Sequence, residues 1–316
     1  MHCPILSTAI VIIDRSINSE RKGSIVKKSV KDLREARDGY LLIAPLLVGC
    51  MIFYFVPFFL VISYSLSKGS GNTRRWIGLE NYMDMLDNHI FRLAYGNTLK
   101  FLVIALPLIL IVSYAIALLL KNQVQKYAAL KSVLLLPYIM PVVGTVLLVE
   151  LLFAEGGMIN EALYTLGLPI EDLLDSNFAF WIVVLLYLWK NAGYSVILLL
   201  AGLVTIPEDH YDAASLDGAG GWQKFLYITT PQMWYSVFFA MVFSLINAFK
   251  CFREIFLIGG THPHDSIYML QHFINNSFEN LNYPKLAVAS MLLLIVITAV
   301  FTVCYRWVMR KEDFRG

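Results

Sequence analysis

The sequence predicts an all-α integral membrane protein with six membrane-spanning helices. Hydrophobic residues make up 58% of the 316-residue chain and charged residues only 15%, which is far more apolar than a soluble domain. The apolar residues are concentrated in six runs, each about 20 residues or longer, the length that crosses a bilayer as a helix. The runs lack the strict alternation of barrel strands, and an isolated span in lipid must satisfy its own backbone hydrogen bonds, so helices are predicted.

Prolines fall inside three of the six runs. Pro45 and Pro57 lie in the first run, Pro107 in the second, and Pro137 and Pro141 in the third. Each is expected to kink its helix and to leave carbonyls for neighbouring groups to satisfy. The runs are roughly 41–65, 97–120, 132–153, 178–203, 233–258 and 286–308.

Lysine and arginine predict the orientation of the spans. With the N-terminus inside, most basic residues fall in the tail 1–39, in the inner loops and at the C-terminal end, as the positive-inside rule requires. The apolar run at 5–13 is too short to span and precedes its positive charges, an order that does not fit a signal peptide. We therefore expect cytoplasmic tails, 1–39 and 311–316, around a transmembrane domain 40–310 in a bacterial plasma or inner membrane.

Several function classes find no support in the sequence. The net charge of +2 is too small to favour nucleic acid as a partner. No G-x-x-x-x-G-K-[ST] loop is present, so ATP is expected to bind elsewhere, and no H-E-x-x-H motif supports a membrane protease. The scattered cysteines show no disulfide or metal spacing: Cys3, Cys50, Cys251 and Cys304.

A long polar interval separates the fourth and fifth runs, from Pro207 to Pro231. Pro207 followed by acids suits the start of a helix, because proline needs no amide donor there and acids complement the helix dipole. Gly218 stands where a left-handed residue would end that helix. A second helical run is predicted from Trp222 to Ile228, so the interval is predicted to be helix, glycine turn, helix.

The interval is acidic, although the other inner segments are basic. One interpretation is an ordinary solvated loop. The other is a docking element, in which small residues permit close approach and the acids meet basic residues of a partner. The acids are Glu208, Asp209, Asp212 and Asp217, and the small residues are Ala213, Ala214 and Ala219.

The interval also resembles the EAA motif of ABC importer permeases. The pattern is Asp212-Ala213-Ala214, then three residues, Gly218, nine residues, Ile228 and Pro231, in the Tyr-Asp-Ala-Ala form common among carbohydrate-type members. Aspartate replaces the usual glutamate, and Thr230 stands where leucine often precedes the proline. Shorter matches accompany it in order along the chain: Gly78-Leu79-Glu80-Asn81-Tyr82, Asn97-Thr98-Leu99, Leu200-Ala201-Gly202-Leu203 and Ile206-Pro207.

The resemblance implies the type I ABC importer permease fold, with a cytoplasmic coupling helix in loop 204–231. It implies a second permease in a heterodimer, two cytoplasmic ATPase subunits that bind ATP and Mg, and an extracytoplasmic binding protein, with membrane lipid around the spans. A sugar or oligosaccharide is the implied cargo; a non-sugar solute and an ion-coupled secondary transporter are the alternatives. The residues implied in ATPase docking are Asp212, Ala213, Ala214, Asp217, Gly218, Ile228 and Pro231.

Polar residues inside the spans are candidates for the substrate pathway. Lys190 lies near the middle of its run, where a charge is expected to face protein or water. Aromatic faces and polar side chains near it suit a sugar. In contrast, Glu150, Lys250, Arg253 and Glu254 are interpreted as interfacial or structural charges, with Lys250 and Glu254 spaced to pair on one helix face. The pathway candidates are Trp189, Lys190, Asn191, Tyr194, Ser244 and Asn247.

A group of histidines follows the fifth span. Imidazoles beside a carboxylate can bind zinc, but these residues lack the paired spacing of ligands on one helix face. Gly259-Gly260 and His262-Pro263 instead predict a turn. We therefore expect a solvated turn and no metal site. The residues are His262, His264, Asp265 and His272.

Overall fold

The structure is a computed structural model that describes residue 35 and residues 37–69, 74–121, 128–167 and 172–309. Six helices in these residues are long and apolar enough to cross a membrane, which confirms the predicted fold class. The chain divides after Val61 into two compact units. The predicted tail 311–316 and nearly all of the tail 1–39 lie outside the described residues.

The first span is the helix α1, Arg37–Ser65, which confirms the run predicted from about residue 41. A π-helical turn, Met51–Phe55, widens it, and the Val56 N–H bonds the Met51 carbonyl. The widening lies just before Pro57, whose ring would clash with a carbonyl four residues earlier in a regular α-helix. The predicted proline distortion is therefore a wider turn.

A short segment follows α1. Strands β1, Ser67–Lys68, and β2, Arg75–Trp76, pair antiparallel, and helix α2, Glu80–Asp87, follows them. Asn81 Nδ2 donates to the carbonyl oxygens of Ser65 and Ser67, at 3.0 and 2.9 Å. This amide ties α2 back to the C-terminal end of α1.

The second span, α3, is longer than predicted. It runs His89–Leu120 and begins where Asn88 Oδ1 accepts the Phe91 N–H at 2.9 Å. Residues 89–96 are too polar to register as part of an apolar run, so the sequence placed the start near residue 97. Asn97 lies inside the helix, and its amide donates to the carbonyls of Asp265 and Tyr268, at 2.6 and 3.0 Å.

The third predicted span, 132–153, is not one continuous helix, and this prediction is wrong. Helix α4, Ala128–Ile139, stops before Met140, and helix α5, Val142–Phe153, begins after Pro141. Pro141 has φ −58° and ψ 146° and offers no N–H to continue the ladder. It also disfavours the helical region for Met140. Pro137, in contrast, stays inside α4. Helix α6, Met158–Thr165, follows α5, and the third candidate span of the structure is the stretch that contains both, Val142–Thr165.

The remaining helices confirm the other predicted spans. The helix α11 ends at Lys250 and α12 begins at Phe252, so the fifth span, Trp234–Gly259, is interrupted at Cys251. In order, the helices are α7 Ala179–Val204, α8 Glu208–Leu216, α9 Gly221–Lys224, α10 Thr230–Gln232, α11 Trp234–Lys250, α12 Phe252–Gly259, α13 Leu270–Glu279 and α14 Tyr283–Met309.

Helix α7 is the central element of the unit that begins at Ile62. It packs against α3, α4 and α11, and 56% of its most apolar stretch is buried, more than in any other candidate span. At Gly193 a Cβ atom would lie 1.7 Å from the Leu134 carbonyl oxygen, so only glycine lets α4 approach this closely. This contact positions the end of α4 beside the middle of α7.

Candidate functional site

Residues 207–232, between the fourth and fifth spans, form a helical hairpin; we call them the inter-span hairpin. Its first arm is α8, with Pro207 at the N-cap and Glu208 and Asp209 in the first turn. Acids at that end complement the helix dipole. The predicted helix start is confirmed.

The arm ends in a Schellman motif centred on Gly218. Gly218 has φ +78°, its N–H bonds the Ser215 carbonyl at 3.1 Å, and the Ala219 N–H bonds the Ala214 carbonyl at 2.8 Å. Glycine adopts this left-handed conformation without the steric cost a Cβ atom would add. The predicted glycine turn is confirmed.

The second arm is longer than the predicted run 222–228. Helix α9, Gly221–Lys224, continues through a π-helical turn, Phe225–Thr229, into α10, which contains Pro231. The Thr230 N–H bonds the Phe225 carbonyl. The wide turn again ends two residues before a proline, as it does at Pro57, for the same steric reason.

The two arms are locked together by side chains. Tyr211 also packs on the buried cluster that contains Ile206 and Met233, and Lys121 Nζ lies 4.3 Å from the centre of its ring. The hairpin is therefore fixed to the spans at its base. The pairs that join the arms are Tyr211 Oη to Thr229 Oγ1 at 2.9 Å, Lys224 Nζ to Ser215 Oγ at 2.6 Å, and Gln232 Nε2 to His210 Nδ1 at 3.0 Å.

The far side of the hairpin exposes apolar side chains. Leu216 is 90% exposed, Tyr227 78% and Trp222 71%. None of these residues belongs to a candidate span, and exposed apolar patches mark interaction surfaces.

The structure separates the predicted docking residues into two groups. Asp212, Ala213, Asp217 and Gly218 are exposed, whereas Ala214, Ile228 and Pro231 are partly buried. Ile228 packs on the same cluster as Tyr211. Leu216 and Trp222 were not predicted, because a motif match selects its own positions and not the exposed neighbours.

A second feature lies at the middle of α7, where a cavity of about 270 Å³ opens beside the ends of α4 and α11. We call it the ion-pair cavity. Lys190 Nζ donates to Glu254 Oε1 at 2.5 Å, with side chains only 14% and 6% exposed. Its lining residues are Tyr138, Met140, Pro141, Val142, Leu186, Tyr187, Lys190, Asn191, Asn247, Lys250, Cys251, Arg253 and Glu254.

The expected pairing of Lys250 with Glu254 does not form. Helix α11 ends at Lys250 and α12 begins at Phe252, so the two residues lie on opposite sides of the interruption at Cys251. Glu254 instead pairs across helices with Lys190. The four-residue spacing of Lys250 and Glu254 could not reveal this partner, because Lys190 and Glu254 are 64 positions apart in the chain.

Three of the six pathway candidates line the cavity: Lys190, Asn191 and Asn247. The Asn191 amide donates to the Tyr187 carbonyl at 2.8 Å, whereas the Asn247 side chain is buried and forms no hydrogen bond with any described residue. Glu254 Oε2 is likewise buried without a partner. A buried carboxylate oxygen without a partner, in the lining of a cavity, is available to a ligand that donates a hydrogen bond.

The other three candidates lie outside the cavity lining. Tyr194 stacks on Tyr138 with ring centres 4.7 Å apart and planes 13° apart, so it supports a lining residue. Ser244 is buried, 3.3 Å from Ser195 through the two hydroxyl oxygens. Trp189 is exposed on another face of α7.

The histidines after the fifth span have separate roles. His264 Nδ1 accepts the Ser266 N–H at 3.2 Å. His272 is fully buried, its Nδ1 accepts the Met269 N–H at 3.1 Å, and burial lowers its pKa to about 4. Among the described residues, no three histidine, cysteine, aspartate or glutamate side chains are placed to hold a metal ion.

Comparisons with known proteins agree with this architecture. The model of the family described as binding-protein-dependent transport system inner membrane component matches residues 81–315. The chain is 33% identical over 291 residues to the sulfoquinovosyl glycerol transport system permease protein SmoG of Agrobacterium fabrum, covering 89% of this chain and 93% of the relative. It is 29% identical over 276 residues to the trehalose/maltose transport system permease protein MalF of Thermococcus litoralis, covering 86% and 93%.

A solved structure shows the same fold. It is the crystal structure of a bacterial alginate ABC transporter in complex with an alginate pentasaccharide-bound periplasmic protein, with a TM-score of 0.74 at 20% sequence identity. The match covers 87% of this chain and 94% of that chain. With six candidate spans and a family match over residues 81–315, the chain belongs to the family of inner membrane components of binding-protein-dependent transport systems.

Proposed function

We propose that this chain is a permease subunit of an ATP-driven ABC importer and forms half of a transmembrane pathway for a sugar or oligosaccharide. The observation that carries the proposal is the inter-span hairpin, a braced element with exposed apolar side chains outside the spans. The cargo class is supported by relatives named as transport system permeases for sulfoquinovosyl glycerol and for trehalose/maltose. An extracytoplasmic binding protein delivers the cargo.

The hairpin docks on a cytoplasmic ATPase subunit. Leu216, Trp222 and Tyr227 supply the apolar contact, and aromatic anchors of this kind carry much of the binding energy at protein interfaces. Asp212 and Asp217 are exposed beside them and meet basic residues of the ATPase, which sets the orientation. Gly218 sets the angle between the two arms.

Coupling follows from the rigidity of the hairpin. Three side-chain pairs join its arms, and Tyr211 fixes it to the cluster at the inner ends of α7 and α11. A movement of the ATPase is therefore passed to the spans, whereas a loose loop would absorb it. ATP and Mg are held by the ATPase subunits, which close around ATP and drive the pathway between inward-facing and outward-facing states.

The orientation of the chain in the membrane follows from the docking of the hairpin on a cytoplasmic ATPase. A hairpin that meets a cytoplasmic ATPase places the inner ends of the fourth and fifth spans in the cytoplasm, and six spans then place both termini there. The basic residues of the tail 1–39 and of the C-terminal segment support this arrangement. A second permease, in a heterodimer, completes the pathway on the side where Lys250 and Arg253 are exposed.

The test is the substitution Asp212→Lys in the assembled importer. We expect the ATPase subunits to dissociate about tenfold more readily, a change of about 1.4 kcal/mol, because a positive charge then faces basic partner residues. The loss is measured by copurification and by cargo-stimulated ATP hydrolysis. Glu161→Lys, a matched charge reversal on the exposed part of α6, should change neither. Full association and stimulation in both Asp212→Lys and Leu216→Asp would refute the docking role.

A further inference from the structure

The ion-pair cavity carries more positive charge than its acid balances. Lys190, Lys250 and Arg253 line it with a single carboxylate, Glu254. Glu254 neutralises Lys190. Within the described part of the chain, neither Lys250 nor Arg253 has a carboxylate within 4.0 Å. Two uncompensated cations at the edge of a low-dielectric cavity attract an anion.

The same cavity contains one buried polar atom without a partner, Glu254 Oε2. A carboxylate oxygen accepts hydrogen bonds only, so the group that satisfies it must be a donor such as a hydroxyl. The Asn247 amide, which both donates and accepts, also lines the cavity and forms no hydrogen bond with a described residue. Leaving the Glu254 oxygen buried and unpaired costs free energy, which a hydroxylated ligand would recover.

An aromatic wall faces these groups. Tyr138 lines the cavity, and its ring is held parallel to that of Tyr194. Gly193 permits the close approach of α4 that carries Tyr138 to this place. A flat aromatic face suits the C–H side of a sugar ring, while its hydroxyls reach polar groups around the edge.

We infer that the cargo is an anionic sugar. Its hydroxyls bond Glu254 and Asn247, and its carboxylate group binds Lys250 and Arg253; the Arg253 guanidinium matches the geometry of such an oxyanion. The inference rests on the proposed import of a sugar and names its chemical class. A volume of about 270 Å³ lies near the lower end of small-molecule sites, so one sugar unit occupies the cavity at a time.

Phosphate headgroups of lipids share the chemistry of the anionic group. Lys250 and Arg253 are exposed, and long basic side chains near a span end readily reach headgroups. Hydroxyl recognition by Glu254 and Asn247 inside the cavity favours the cargo over the lipid. The experiment therefore varies the cargo and the lipid composition of the vesicles separately.

The test is ATP-driven uptake by the whole importer with its binding protein in vesicles. The probes are matched pairs that differ by one acidic group, glucose with glucuronate, galactose with galacturonate and mannose with mannuronate, as monosaccharides and disaccharides. Vesicles are made of phosphatidylcholine with and without phosphatidylglycerol. We expect uptake of an acidic member to exceed that of its neutral partner. Lys250→Met with Arg253→Met should reduce it at least about tenfold, because both charge-assisted contacts to the acidic group are lost.

Two control variants show whether a loss of uptake is due to the charges of Lys250 and Arg253. Lys250→Arg with Arg253→Lys preserves both charges and should retain most of the acidic uptake, and Lys285→Met removes an exposed cation elsewhere and should retain all of it. Preference for the neutral members, or a loss in the double methionine variant only when phosphatidylglycerol is present, would overturn the inference. Preference for neutral sugars leaves the importer function intact, whereas no ATP-driven uptake of any probe contradicts that function and the inference together.

Discussion

The inter-span hairpin and the ion-pair cavity differ in which of their side chains lack a packing or hydrogen-bonding partner. In the hairpin, Tyr211 and Thr229 pair with each other, and apolar side chains such as Leu216 are exposed. In the cavity, Glu254 Oε2 is buried without a partner, and the Asn247 amide in the lining forms no hydrogen bond with a described residue. Exposed apolar area favours a protein surface, and buried unpaired polar atoms favour a small hydroxylated ligand.

The largest effect is expected from breaking the pair at the centre of the cavity. Lys190→Met leaves the Glu254 carboxylate buried and uncompensated, which costs about 3–5 kcal/mol. The thermal unfolding midpoint of the purified complex should fall, and uptake should be lost with it. Lys190→Met combined with Glu254→Gln removes both charges and should recover most of the thermal stability but not the uptake. If the double variant also takes up cargo at the normal rate, the Lys190–Glu254 pair has a structural role only, and the cavity is not a ligand site.

A smaller effect is expected from the turn of the hairpin. Gly218→Ala forces a Cβ atom into a left-handed conformation, φ +78°, at a cost of about 1–2 kcal/mol. The arms should open and cargo-stimulated ATP hydrolysis should fall, with the spans still folded. Gly221→Ala is the matched control, since Gly221 has no positive φ and open space around its Cβ position. If cargo stimulates ATP hydrolysis equally in the two variants, the angle between the two arms does not contribute to coupling.

The smallest effect on transport is expected from His272, whose Nε2 is also buried without a hydrogen-bond partner. It lies among the rings of Phe252 and Tyr268 and not in the ion-pair cavity. Its folded-state pKa of about 4 is below the unfolded value of about 6.5. The unfolded state therefore binds more protons between these values, and stability is full above about pH 6.5 and is lost as the pH falls toward 4.

His272→Gln keeps an acceptor for the Met269 N–H and removes the titration. We expect its unfolding midpoint to vary less between pH 7 and 5 than that of the unaltered chain, with uptake at pH 7 unchanged. His262→Gln, at an exposed position, should keep the original pH dependence. If His272→Gln abolishes uptake at neutral pH, a buried unpaired atom outside the cavity also contributes to transport, and the cavity does not differ from the rest of the chain in this respect.

The sequence predicted what local rules determine. Span lengths follow from apolar runs, and the turn at Gly218 follows from the need for a left-handed residue after α8. The break between α4 and α5 was missed because a hydropathy run does not distinguish Pro137, which the helix tolerates, from Pro141, which ends it. The pairing of Lys190 with Glu254 was missed because it depends on how α7 and α12 pack, which no spacing along the chain encodes.

The ion pair also constrains how the chain enters the membrane. At a synthesis rate of about 5–20 residues per second, Glu254 is made roughly 3 to 13 seconds after Lys190, because they are 64 positions apart. Until then the fourth span contains a lysine with no carboxylate, at a cost of about 2.5–3.5 kcal/mol for a central position. The leucines and valines of α7 must offset that cost alone. The arrival of the fifth span then places Glu254 beside Lys190 and offsets part of that cost.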